Sequence, residues 1–252
     1  MCITITTPDL HTVNNCLYGL YNLIDNQDSN GIIHFMVESG AASHIIKTIG
    51  YNPSLINIII KIIGNMLTGD TQDVSEMHNY GVLNLLEYLY KNNTDLLYLK
   101  EILWAISNIT AGNQQQITAF MQSNLLGLSL DKIKTTKSTT LMVDLVWIFS
   151  NAITGGGIEI ACKFIEYGIL EIYLYIIESF NSEIVIMVTL EGLRNLFKYG
   201  ELVKILTTEK NIVIESFCKL GGISYFEKLA LSNRSEIVMK VEQIIQEYLY
   251  KE

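Results

Sequence analysis

Apolar residues along the chain recur three and four positions apart, in long runs broken by short polar segments. That spacing belongs to helices with one buried face rather than to strands. The longest runs predict helices over about Leu10–Asp25, Ser54–Thr68, Asp95–Thr110, Thr139–Thr154 and Glu183–Tyr199, and a charged one over about Ser235–Tyr248. Polar segments at Gly50–Pro53, Lys91–Thr94, Thr135–Ser138 and Asn181–Ser182 precede four of these helices and predict loops.

Asparagine reveals that these helices repeat. Asn22, Asn65, Asn108 and Asn151 are each 43 residues apart, and Asn195 follows at 44. Their surroundings agree, as in Ile63-Gly-Asn65-Met-Leu-Thr-Gly69, Ile106-Ser-Asn108-Ile-Thr-Ala-Gly112 and Phe149-Ser-Asn151-Ala-Ile-Thr-Gly155. The closing Gly69, Gly112 and Gly155 are expected to end their helices in left-handed geometry, which glycine adopts cheaply. A second set, Gly40, Gly81, Gly168 and Gly221, separates a polar-rich segment from an apolar run, and Asn124 takes that place once. Asparagine is the next-best residue for a left-handed turn.

Each unit therefore holds a short helix, a tight turn, a middle helix, a polar loop and a long third helix. Three helices in about 42 residues define an all-α, armadillo-repeat, right-handed superhelical solenoid. The predicted divisions are a partial leading repeat at 1–27, repeats at about 28–69, 70–112, 113–155 and 156–204, and a capping repeat at 205–252. An insertion of about ten residues falls in Glu201–Asn211, because Gly168 and Gly221 lie further apart than the period allows. Residues 1–27 hold only a third helix, with Met1–Pro8 as a stub. Either the chain is part of a longer array, or something else covers the exposed face of that helix.

Composition narrows the chemistry. The chain has 252 residues, 49% hydrophobic and 17% charged, with a net charge of −9. Such a chain has ample apolar surface to fold, is a poor general binder of nucleic-acid phosphates, and favours basic partners. Cys2, Cys16, Cys162 and Cys218 form no metal or redox spacing and are expected in or near a core. The N-terminus has no secretory pattern, and polar residues interrupt the apolar run Leu55–Leu67, so no membrane span is expected. His11, His34, His44 and His78 lie in no catalytic pattern, and Gly155-Gly-Gly157 lacks the lysine of a phosphate loop. That triple glycine is expected to be a flexible turn. Neither an enzyme nor a cofactor or metal site is expected.

One helical turn before each periodic asparagine stand Tyr18, Lys61, Trp104, Trp147 and Glu191. A spacing of four puts each pair on one helical face, and the period stacks those faces. Tryptophan in a helix is ordinarily core. Asparagine in mid-helix is a poor helix former, though, and costly when buried without a partner, so five in register favour an exposed row. An asparagine amide can clasp one peptide unit through its N–H and C=O groups. Tryptophan faces between the amides admit the stems of Lys or Arg, adding about 1–2 kcal/mol of cation–π attraction each. Glu101 and Asp144, three residues before each tryptophan, are placed to select cations.

Here the chain resembles the importin-α family, armadillo adaptors that recognise nuclear localisation signals. The resemblance rests on Lys100-Glu-Ile-Leu-Trp-Ala-Ile-Ser-Asn-Ile-Thr-Ala-Gly-Asn-Gln-Gln-Gln116, Trp147-Ile-Phe-Ser-Asn-Ala-Ile-Thr-Gly155, Leu190-Glu-Gly-Leu-Arg-Asn-Leu196 and Cys218-Lys-Leu-Gly-Gly-Ile-Ser-Tyr-Phe-Glu-Lys228. It covers nearly the whole chain and matches the family's carboxyl-terminal half. It implies that Trp104, Asn108, Trp147 and Asn151 form the minor signal-binding site, with Asn65 continuing the ladder. Glu101, Ser107 and Asp144 match groups bordering its cationic pockets. Tyr18 and Asn22 replace the usual Trp and Tyr, and Lys61 replaces a usual Arg. The implied partners are Lys/Arg-rich signal peptides of cargo proteins and, through the last repeats, the recycling exportin. The basic importin-β-binding segment and the major-site units are missing, so importin-β binding is not expected of this chain. The implied localisation is cytoplasm and nucleus. The alternative is an armadillo scaffold for protein–protein interaction without transport activity.

Overall fold

The computed structural model describes residues 9–25, 29–47, 52–207 and 210–250. Regular structure among the described residues is entirely helical. The stub Met1–Pro8 and part of the loop at Gly50–Pro53 lie outside them. The chain divides into two compact units, residues 1–129 and 130–252.

The first unit contains α1 (Leu10–Ile24), α2 (Asn30–Glu38), α3 (Ala41–Lys47), α4 (Ile56–Met66), α5 (Thr71–Tyr80), α6 (Val82–Asn92), α7 (Leu96–Thr110) and α8 (Gln114–Gln122). It ends within α9 (Asn124–Thr135). The long helices α1, α4 and α7 pack side by side. Helix α7 starts just after its predicted polar loop, and side-chain caps open all three. Asp9 accepts a hydrogen bond from the Thr12 amide, Asp95 accepts one from Leu97, and a turn of 3₁₀ helix at Pro53–Leu55, capped by Asn52, leads into α4. Such caps satisfy amides that have no partner in the helix. The isoleucine run of α4 is almost wholly buried, with Ile58, Ile59, Ile60, Ile62 and Ile63 at or near zero exposure.

The second unit contains α10 (Thr139–Glu166), α11 (Ile169–Ser179), α12 (Glu183–Thr207), α13 (Ile212–Lys219), α14 (Gly222–Ala230) and α15 (Ser235–Ile244). The final helix widens into a π-helical turn over Ile245–Leu249. Helix α12 packs against both α10 and α15. Phe197, Phe217 and Phe226 stack edge-on and tilted in the core that joins the terminal helices.

The two sets of glycines have different roles. Gly40, Gly81, Gly168 and Gly221 adopt φ of +78°, +93°, +77° and +79°, as expected. The expected left-handed caps at Gly69, Gly112 and Gly155 are not formed. Gly69 and Gly112 lie in tight turns, donating to Met66 and Ile109 three residues back. Crowding keeps them glycine: a Cβ on Gly69 would lie 2.9 Å from Ile33, and one on Gly112 would lie 1.6 Å from the Gln116 side-chain oxygen. Gly155 continues α10, and the break falls at Gly157 alone (φ 75°, ψ −171°). The triple glycine is thus a one-residue kink in a long helix. Asn124 opens α9, and Ser123 makes the turn in extended geometry instead.

Three other expectations are revised. Most of the insertion at Glu201–Asn211 is further helix, since α12 runs to Thr207. Cys162 and Cys218 are exposed and Cys16 is half-buried, while Cys2 lies outside the described residues. By length and composition alone, the stretch among the described residues apolar enough to cross a membrane lies in α10 rather than at Leu55–Leu67, and 61% of its most apolar window is buried in the fold, as in a core helix.

Candidate peptide-binding site

Helix α7 carries Glu101, Trp104 and Asn108 at spacings of three and four, so one face presents all three. Trp104 is half-buried against α4. Its ring lies over the backbone of Gly64, where an added Cβ would fall 2.2 Å from Cζ3 and 2.7 Å from Cε3. Gly64 is therefore the seat that lets the indole approach the neighbouring helix closely. The side-chain amide of Asn108 donates to the Gly64 carbonyl at 3.2 Å. Tryptophan and asparagine are thus placed by the same glycine.

A hollow of about 370 Å³ opens beside Trp104. Its walls are Tyr21 of α1 with Asp25 at that helix's C-terminal cap, Lys61 and Asn65 from α4, and Lys100 and Glu101 from α7. Asn65 donates to Asp25 at 3.3 Å, and the Lys61 ammonium lies 5.7 Å from the centre of the Tyr21 ring. Burial and the adjacent Asp25 carboxylate push the Tyr21 phenol above its ordinary pKa, so it stays a neutral donor. Lys100 and Glu101 approach to 3.7 Å, both substantially exposed. Such a pair is worth little in water and readily exchanges partners.

A second hollow, about 320 Å³, lies on the other side of Asn108. It is walled by Leu67, Thr68, Gly69, Thr71, Val74 and Gln116. Helices α4 and α7 both end here, so their last carbonyls and the negative ends of their dipoles face it. The Gln116 amide closes one wall by donating to Thr71 O at 3.3 Å. A cationic side chain fits such a wall of carbonyl and hydroxyl oxygens.

The periodic asparagines are not idle in the free protein. Asn65, Asn108 and, in the second unit, Asn195 each donate to the preceding long helix, to Asp25, Gly64 and Thr154 respectively. Each such bond contributes about 0.5–1.5 kcal/mol and ties one repeat to the next. An amide has two N–H groups and two lone pairs, so one bond leaves capacity for a ligand. Asn195 is nearly spent: it is 9% exposed and also donates to Glu191. Glu191 meets Arg194 and Lys240. Arg194 also grips Glu247 through two bonds of 2.9 and 3.1 Å. The asparagine row is thus internally satisfied at its last member.

In the second unit Trp147 is 40% exposed and Asn151 is half-buried. Ser107 and Asp144 are placed otherwise than open pocket walls require, at 6% and 7% exposure. Ser107 donates to Trp104 O at 2.8 Å and so braces the helix that carries the tryptophan. Tyr18 and Asn22 are exposed on α1 but do not line the first hollow. Tyr21 and Asp25 line it in their place. The asparagine period does not find them, because their counterparts one period on are Gly64 and Thr68. The Thr68-Gly69 and Thr110-Ala-Gly112 segments were the visible sign of the second hollow.

This is an armadillo-repeat fold, and solved structures of that kind match it over nearly its whole length. A designed armadillo repeat protein in complex with peptide (KR)4 superposes with a TM-score of 0.82 at 22% identity, covering 97% of this chain and 96% of that one. A computationally designed armadillo repeat protein for modular peptide recognition gives 0.83 at 20% identity, covering 98% of each chain. At these identities the likeness is one of fold. In sequence the chain resembles importin-α subunits. It is 28% identical to importin subunit alpha-1a of Oryza sativa subsp. japonica over 97% of its length and 46% of the relative's. It is likewise 28% identical to importin subunit alpha-4 of Arabidopsis thaliana, over 97% of this chain and 45% of that one. The chain spans about half the length of these curated relatives. No family model matches it.

Proposed function

We propose that the chain is a non-catalytic adaptor module that binds Lys/Arg-rich linear segments of the nuclear localisation type along its third helices. The observation that carries this reading is Trp104 seated on Gly64 beside Asn108, with a polar hollow on either side. An extended peptide running past Asn108 places alternate side chains on the two sides of its backbone. One cationic side chain would enter the hollow formed by the ends of α4 and α7. Another would stack its stem on Trp104 and bring its charge to Glu101. In the second unit Trp147 and Asn151, at the same spacing on their own helix, would offer peptide contacts of the same kind. Asp144, being buried, would act through the field of the site rather than by direct contact.

Lys61 sets the limit at one end. Its ammonium repels a peptide cation and attracts peptide carbonyls, so the basic core of the ligand is expected at α7 and beyond. In the second unit Asn195, consumed by internal bonds, is not expected to contribute. Asn65 extends the ladder past Lys61, while Tyr18 and Asn22 have at most a peripheral role. By the same resemblance the last repeats would contact the recycling exportin, and the protein would move between cytoplasm and nucleus.

The test is titration of a fluorescent Lys/Arg-rich signal peptide into the full chain. Saturable binding that Trp104→Ala weakens supports the adaptor. A chain that folds normally but does not bind supports the alternative, a scaffold without transport activity. The internal use of Asn65, Asn108 and Asn195 as ties between helices favours that second reading.

A further inference from the structure

The protein is acidic and has only two arginines. Arg194 is committed to Glu247. Arg234 meets no carboxylate among the described residues; it donates to the Asn181 carbonyl at 3.3 Å. It lines a hollow of about 250 Å³ in the second unit, between α11 and α14, together with Lys228, Tyr225 and Ser232. Lys228 also lacks an ion-pair partner among the described residues, and its ammonium lies 5.3 Å from the centre of the Tyr225 ring. The Ser232 hydroxyl oxygen is buried and has no hydrogen-bond partner among the described residues. Buried polar atoms ordinarily have one. Glu178 is the one acid in the lining, and it accepts from the Tyr225 hydroxyl at 3.2 Å.

Two cations without counter-ions therefore line one cavity of a chain with net charge −9, beside a serine whose buried hydroxyl lacks a partner among the described residues. We propose that this hollow binds the phosphate of a phosphorylated serine or threonine in a linear segment of a partner protein. Arg234 offers its planar donor fork to two phosphate oxygens, and Lys228 and Ser232 donate to the third. With Glu178 in the lining the net charge is about +1, so charge balance alone does not single out phosphate; its several oxygens, set for an arginine fork and a second donor at once, do. The surroundings favour a peptide over free phosphate. Leu231, between Leu229 and Ser232, is 89% exposed and gives an apolar neighbour of the ligand something to cover. This site is separate from the asparagine row and does not depend on that row's function.

The test uses the full, isotope-labelled chain and three probes: a short peptide with one phosphoserine between two leucines, its unphosphorylated form, and inorganic phosphate. The phosphopeptide is expected to shift the amide resonances of Ser232, Asn233 and Arg234 saturably. Arg234→Gln and Lys228→Gln should each weaken it about tenfold, the scale of one charge-assisted bond, and Glu178→Gln should tighten it. Lys228 and Glu178 are exposed, so their variants decide the matter if Arg234→Gln does not fold. The proposal is overturned if the phosphopeptide moves no resonances there, or if the unphosphorylated peptide binds equally. It is also overturned if inorganic phosphate binds as tightly as the phosphopeptide, or if Lys228→Gln leaves affinity unchanged.

Discussion

Alanine at Gly64 sets two effects of known size against each other. Gly64 is buried in the last turn of α4, where replacing glycine with alanine gains at most about 1 kcal/mol of helix stability. The new Cβ would lie 2.2 Å from the Trp104 ring, against about 3.5 Å for a normal carbon contact, so the ring must retreat by about 1.3 Å. Overpacking of this kind costs about 1–3 kcal/mol in a closed core. Trp104 is only half-buried and can swing outward, so the cost belongs at the low end. Net stability should then change by no more than about 1 kcal/mol in either direction. Peptide binding should suffer much more. A displaced anchor aromatic loses about 1–3 kcal/mol, or about five- to 150-fold in affinity. The assay pairs urea unfolding with peptide titration, and a Trp147→Phe background lets fluorescence report Trp104 alone. A variant stabilised by the full helix gain, with unchanged emission and affinity, would refute the seating of Trp104 on Gly64.

Glu101→Gln should weaken binding of a basic peptide and flatten its salt dependence, since the charge at the hollow is what salt screens. Asn108→Ala should weaken binding with the salt slope kept; equal slopes in both variants would contradict this division. Trp147→Ala should lower stability by less than the ~3–5 kcal/mol of a core tryptophan, as a melting curve would show. His34 bonds the buried Asp73 carboxylate at 2.9 Å, and this bond raises its pKa. Its stabilising effect is complete below the unfolded value of about 6.5 and is lost as pH rises through the higher folded value. His34→Gln should therefore remove a fall in melting temperature above neutrality, and an unchanged profile would count against the pairing. The Arg194 guanidinium holds the Glu247 carboxyl below its usual range. That contribution is present above the unfolded value of about 4.3 and disappears as pH falls through the depressed one, so parent and Glu247→Gln should converge in acid unfolding.

The asparagine period made the long helices and the left-handed glycine turns legible, because both depend on local geometry that a sequence states residue by residue. Gly69, Gly112 and Gly155 misled for the opposite reason. Their need for glycine, where the structure gives one, arises from Ile33 and Gln116 pressing on them. Gly64 is the same case: its partner Trp104 is 40 residues away in sequence. The site was half legible. Trp104 and Asn108 repeat and so announce themselves. Tyr21 and Asp25, which wall the first hollow, break the period. Burial of Ser107 and Asp144 depends on neighbouring helices and left no trace in spacing.

The adaptor reading meets its most direct test in one titration of the full chain with a fluorescent Lys/Arg-rich peptide, alongside a peptide with every Lys and Arg replaced by Gln. Saturable binding of the basic peptide alone, weakened about tenfold or more by Trp104→Ala with the fold intact, is the predicted result. Absence of saturable binding, or equal affinity in parent and Trp104→Ala, would contradict it.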